Sequence, residues 1–141
     1  MVKTTNPGAV AERLHAGAIR LLRRVRVADS EAALSAPKLS ALSVLVFAGP
    51  MSLKALAAAE QVKPPTMSKL VADLEAEALA VKTVDRADKR AVMIAATAKG
   101  RMLMEEGRKR RLALLTKSLR TLSARELQTL AAAAELMLAL E

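Results

Sequence analysis

The chain has no cysteine, tryptophan or tyrosine, and its one aromatic residue is Phe47. Without thiols there are no disulfides, no cysteine-type zinc sites and no thiol redox sensing. A single histidine, His15, makes a metal cage built only from protein ligands an unfavourable expectation, and no cofactor is expected either. Glycine-rich phosphate loops are missing, as are carboxylates clustered with histidine. Ser35-x-x-Lys38 matches the Ser-x-x-Lys of acyl-transfer enzymes, but it falls in a stretch that reads as a linker and has no companion motif, so an enzyme is not expected. No apolar run approaches the roughly 20 residues that span a bilayer. The start, Met1-Val2-Lys3-Thr4, lacks a signal-peptide apolar region, so a cytoplasmic protein without membrane partners is the expectation.

What is present is 141 residues, 52% of them apolar, enough for one domain with a core of Leu, Val, Ala and Met. Abundant Ala, Leu, Lys, Arg and Glu with few glycines predict a mainly α fold. A formal net charge of +9 implies a polyanionic partner.

The patterning is most informative over residues 39–100. Ser40 is placed to cap a helix over 41–48, and Ser52 one over 53–60. A turn at 61–63 leads into a helix opened by Pro64 and Pro65, which suit a first turn whose amides have no intrahelical partner. Its apolar stripe is Met67, Leu70, Val71, Leu74 and Ala78. The opposite face, Pro65, Lys69, Ala72, Asp73 and Ala76 with Thr66 and Ser68 beside it, is small and able to hydrogen bond near its start. Such a face suits a recognition helix in the DNA major groove. Two β-branched runs follow, 79–84 and 91–96, bounding the charged tip Asp85-Arg86-Ala87-Asp88-Lys89-Arg90; they predict a hairpin lying along the phosphates as a wing.

On either side the expectation is helix. Residues 10–27 place Val10, Leu14, Ala18, Leu21 and Val25 on one stripe opposite Arg13, Arg20 and Arg24, and residues 28–37 read as a linker. Thr97 caps a helix over 98–119. Ser123 and Glu126 fit a capping box, with Leu122 and Leu127 as its hydrophobic staple. These terminal helices carry apolar residues on more than one side, which implies a homodimer.

Taken together, Ser52-x-x-x-Leu56-Ala57, Val62-x-Pro64-Pro65-Thr66-Met67-Ser68-Lys69-Leu70-Val71-x-x-Leu74-Glu75, Asp85-x-x-Asp88-x-Arg90 and Thr97-x-Lys99-Gly100-Arg101 resemble the MarR family of bacterial transcriptional regulators. The resemblance implies a winged helix-turn-helix over 39–100 within a single domain of 1–141, flanked by dimerisation helices at 8–28 and 98–140. It implies double-stranded DNA as partner, and a dimeric regulator on a palindromic operator, commonly a repressor released by a small, often phenolic, ligand. Carried over by position, the major groove is read by Pro65, Thr66, Ser68 and Lys69, in a DNA-binding helix start that also holds Pro64 and Met67, and the DNA-binding wing is Asp85, Arg86, Lys89 and Arg90, with Asp85 and Arg90 supporting its shape. The family's minor-groove arginine would fall at position 87, which is Ala87 here, leaving Arg86 or Lys89 to take its place. The family favours Gly where Ala78 stands and Ser where Lys63 stands. His15 and Phe47 are candidates to line an effector pocket. A winged-helix architectural DNA binder or a protein-interaction adaptor is the alternative.

Overall fold

A computed structural model describes residues 5–29 and 34–140. The sequence start and linker residues 30–33 lie outside the described residues. Eight elements run in the order α1 (Pro7–Asp29), α2 (Ala36–Ala48), α3 (Leu53–Ala59), α4 (Pro64–Ala76), β1 (Ala80–Val84), β2 (Val92–Ala96), α5 (Ala98–Leu119) and α6 (Ala124–Leu138). The architecture is mainly α with one small hairpin, as the composition and the change from helical to strand-like period predicted.

The chain divides into two units, a winged unit, Ala32–Arg108, and a helical unit made from Met1–Glu31 and Lys109–Glu141. In the winged unit α2, α3, α4 and the hairpin enclose one core. Leu42, Leu56, Met67, Val71, Leu74, Leu79 and Ile94 are its largest fully buried side chains. The antiparallel hairpin pairs Ala80 with Ala96, Lys82 with Ile94 and Val84 with Val92. Met51 adds a single bridge to Ile94, donating at 3.1 Å and accepting at 2.8 Å, a rudimentary third strand that one residue between Pro50 and Ser52 is too short to announce in sequence.

The linker expected at 28–37 is shorter than its composition suggested. Helix α1 continues through Asp29, and α2 begins at Ala36 with Ser35, not Ser40, at the N-cap. Pro37 therefore sits in the first turn of α2, where a missing amide costs nothing. Ala78, expected on the helical stripe of α4, lies beyond that helix with φ of +58°.

Helices α3 and α4 end alike. Gln61 and Ala78 both adopt the left-handed conformation, with φ of +55° and +58°. Around them Val62 N donates to Ala57 O and Leu79 N to Leu74 O, while Gln61 N donates to Ala58 O and Ala78 N to Glu75 O. These are paired Schellman closures, which usually place glycine at the left-handed position.

The helical unit has a different character. Neither α1 nor α6 has a buried residue, and every buried residue of α5, Gly100, Met104 and Gly107, lies in the winged unit. An ion pair of 2.7 Å joins Arg111 of α5 to Asp29 at the end of α1. The capping box of α6 is formed: Ser123 N donates to Glu126 Oε2 at 2.8 Å, and Glu126 N donates to Ser123 Oγ. The Ser123 backbone N–H, and then its hydroxyl, which donates to Glu126 Oε2 at 2.7 Å, hold the Glu126 carboxyl below its ordinary pKa.

Candidate nucleic-acid interface

The N-terminal end of α4 is built from residues that leave little backbone unsatisfied. Pro64 and Pro65 fill the first two positions and have no N–H to orphan, and Met67 N already donates to Lys63 O at 3.1 Å. Thr66 therefore presents the one amide of this turn that faces outward without an intrahelical partner. Lys63 occupies the N-cap with extended backbone but makes no side-chain cap bond. Pro64, Pro65, Thr66, Ser68 and Lys69 are all exposed. Met67 is not: it is fully buried, so it ties α4 to the core and is removed from the set that could touch DNA.

The hairpin tip is shaped by its two aspartates. Asp85 Oδ1 accepts from Ala87 N at 2.9 Å and Asp88 Oδ1 from Arg90 N at 3.0 Å. Ala91 N donates to Asp88 O, closing a turn with Lys89 and Arg90 at its corners, and Asp85 N donates to Ala91 O. Both carboxylates are thus turned onto backbone amides of their own loop. Among the described residues none of them pairs with an arginine, and Arg86, Lys89 and Arg90 stand exposed.

Across the winged unit the pairing of cations is uneven. Lys38 is bound to Glu77 at 2.7 Å and Lys82 approaches Glu75 at 3.4 Å. Lys54, Lys63, Lys69, Arg86, Lys89 and Arg90 are exposed and make no ion pair among the described residues. Lys54 and Lys63, at the starts of α3 and α4, were not singled out by motif. The signal that points to them is the charge excess itself, once helix starts are known. Between α4 and the hairpin lies a cleft of about 270 Å3, lined by Leu53, Ser68, Val71, Lys82, Val92 and Ile94, so Ser68 faces the wing side of its helix.

The C-terminal end of α4 is held from two directions. Lys38 of α2 donates to Glu77 Oε1, a bond that raises the Lys38 pKa above its ordinary value, assisted by the charges of Glu77 and Asp73. From the start of α5, Lys99 Nζ donates to Glu77 O at 2.9 Å, Thr97 Oγ1 to Ala78 O at 2.6 Å and Thr97 N to Leu79 O at 3.0 Å. The Thr97 hydroxyl also accepts from Gly100 N, capping α5. A Cβ at Gly100 would fall on Leu79 O, so glycine is what permits this approach.

The two effector-pocket candidates fall in different units. His15 is exposed on α1, in the helical unit, whereas Phe47 is 72% exposed at the end of α2, in the winged unit. A different hollow, about 370 Å3, lies within the helical unit, lined by Val27, Ala28, Arg110, Ala113, Leu114 and Lys117. Among the described residues Arg110 Nε is buried without a hydrogen-bond partner. Among the described residues no cluster of His, Asp or Glu is placed to hold a metal ion, and no helix is long and apolar enough to cross a membrane.

No family model matches the chain. Among curated proteins it is similar to an HTH-type transcriptional regulator of Mycobacterium tuberculosis, 34% identical over 131 residues covering 93% of this chain and 92% of the relative. One from Mycobacterium leprae is 31% identical over the same shares. Among solved structures it is similar to transcriptional regulator Tm0710 of Thermotoga maritima, with a TM-score of 0.80 at 22% identity over 91% of this chain and 90% of that one. A MarR family protein of Bacillus stearothermophilus gives 0.76 at 23% identity, over 95% and 96%. A MepR variant of S. aureus bound to an oligodeoxyribonucleotide gives 0.69 at 20%, over 92% and 96%.

Proposed function

Because the chain belongs to the MarR family of HTH-type transcriptional regulators, DNA-binding proteins and not enzymes, we propose that it reads a two-fold symmetric operator as a homodimer. Each α4 enters a major groove, with Pro64, Pro65, Thr66, Ser68 and Lys69 at base edges and phosphates, and each wing follows the backbone through Arg86, Lys89 and Arg90 while Asp85 holds its shape. The observation that carries this reading is the exposed, slender start of α4 with exposed cations that, among the described residues, no carboxylate neutralises. The dimer is supported by a helical unit that, among the described residues, buries nothing in one chain.

Fluorescence anisotropy with purified protein, a cognate duplex and a scrambled duplex, across a salt series, tests it. The expected outcome is strong preference for one sequence with two protomers per site. Lys69→Ala is expected to weaken binding and to reduce the magnitude of the log–log salt slope by roughly 0.9, one phosphate's worth of released counterion. Equal, steeply salt-dependent binding to both duplexes would indicate an architectural role instead. On the wing, Arg86→Ala is expected to weaken binding more than Lys89→Ala, and the reverse order would assign the groove contact to Lys89.

We further propose that the protein acts as a cytoplasmic repressor whose DNA is released by a small aromatic anion. Support comes from the hollow with Arg110 and Lys117 on an otherwise apolar wall, a lining that suits an aromatic ring carrying a carboxylate. Benzoate titrated into the complex is expected to lower DNA affinity, and to do so far less with Arg110→Met. Identical responses of the two proteins would remove this hollow from the effector's path.

A further inference from the structure

A helix end needs its last carbonyls satisfied, which the Schellman closure at Ala78 already begins. What lies beyond that need is the convergence of two further elements on three consecutive residues. Glu77 is gripped through its carboxylate by Lys38 and through its carbonyl by Lys99. Ala78 and Leu79 are gripped through their carbonyls by the hydroxyl and the amide of Thr97. Two of these four groups are ammonium ions placed where the helix dipole is negative. Gly100 removes the side chain that would otherwise hold α5 away from Leu79. None of the gripping residues belongs to the exposed start of α4, a full helix length away.

We propose that Thr97 and Lys99, seconded by Lys38, form a clamp that fixes the angle of α4, making them positioning residues for sequence-specific DNA binding that do not themselves touch DNA. The proposal rests on the reading of α4 as the recognition helix. The lever arm gives it force. Over a helix of 13 residues, about 20 Å long, a tilt of about 5° at the held end moves the far end by about 1.7 Å, well beyond the few tenths of an ångström that a hydrogen bond to a base edge tolerates. Non-specific attraction to phosphates tolerates such a tilt, because it depends on charge more than on register. Loss of the clamp should therefore remove discrimination before it removes binding.

The test uses the full chain, a duplex selected by the wild-type protein from a random-sequence pool, and a scrambled duplex, with anisotropy over a salt series and thermal unfolding in parallel. Lys99→Met is expected to lose affinity for the selected duplex about tenfold, the worth of one charged hydrogen bond, while the scrambled duplex and the salt slope are unaffected. Lys99→Arg, which can still reach the carbonyl, restores discrimination. Loss on both duplexes with a shallower salt slope would make Lys99 a phosphate contact, and no loss on either would show α4 held without it; each result overturns the clamp. If Lys99→Met unfolds early, Lys38→Met carries the same comparison without disturbing α5: selective loss supports the clamp and uniform or absent loss overturns it. Thr66→Ala and Lys69→Ala in the same titrations separate the two ideas. If both keep full discrimination, α4 is not the reading element, whatever the clamp variants do.

Discussion

Two residues sit at the ends of α4 where the backbone would accept a better choice. Ala78 holds a left-handed conformation, with φ of +58°, that its Cβ disfavours. Ala78→Gly is expected to stabilise the protein by about 0.5–1 kcal/mol, the relief of strain outweighing the greater freedom of glycine in the unfolded chain. Thermal unfolding at fixed protein concentration reads it, and an unchanged or lower midpoint would show that the turn carries no strain. At the other end Lys63 leaves the cap position unused and adds a positive charge at the positive pole of the helix dipole. Lys63→Ser is expected to gain about 1 kcal/mol of stability. If the lysine faces phosphate, that substitution also reduces the salt slope of DNA binding, so stability and affinity move in opposite directions.

At the scale of elements, the helix-turn-helix and the hairpin were legible because their signals are local: Ser52 before α3, the proline pair before α4, and a change of hydrophobic period after Leu79. The capping box that starts α6 was legible for the same reason, and its chemistry is testable. The Glu126 pKa is lowered, so the stability it contributes is present above the ordinary carboxyl range and is lost as pH falls through the lowered value. As pH falls from the ordinary carboxyl range through the lowered value, the amides of the first turn of α6 should lose exchange protection in the wild type. A Glu126→Gln variant, which cannot titrate, should lack that component. What sequence did not disclose depends on distant partners. The bridge from Met51 to Ile94 and the grip on Glu77 arise where segments far apart in sequence meet, whereas the burial of Met67 was already written in the apolar stripe of α4. The early start of α2 was hidden by Pro37, which resembles a linker residue until its place in a first turn is known. Gly100 belongs to this class, since its need for a hydrogen side chain lies in Leu79 O. Gly100→Ala is expected to cost about 1–3 kcal/mol as α5 is pushed outward.

At the scale of the molecule, stability is unequally distributed. The described core lies wholly in the winged unit, whereas Leu136, Leu138 and Leu140 at the end of the chain are 71%, 82% and 70% exposed. In the proposed homodimer those side chains are covered, so the thermal midpoint should rise with protein concentration. Leu138→Asp should shift the protein toward monomer in sedimentation and make the midpoint insensitive to concentration. A midpoint independent of concentration in the wild type would count against the dimer. About two-thirds of the net positive charge falls on the helical unit, so the attraction of the molecule to DNA is not confined to the half that reads it.

The helical unit is assembled from segments that flank the winged unit in the chain, and this imposes an order on biosynthesis. At roughly 5–20 residues per second, α1 leaves the ribosome several seconds before α6, while the contiguous winged unit completes its core in between. The leading helix, with Leu21 and Leu22 half exposed, must wait without its partners during that interval. Nascent chains translated side by side on one message would shorten the wait. Chaperone demand during synthesis should therefore fall mainly on α1.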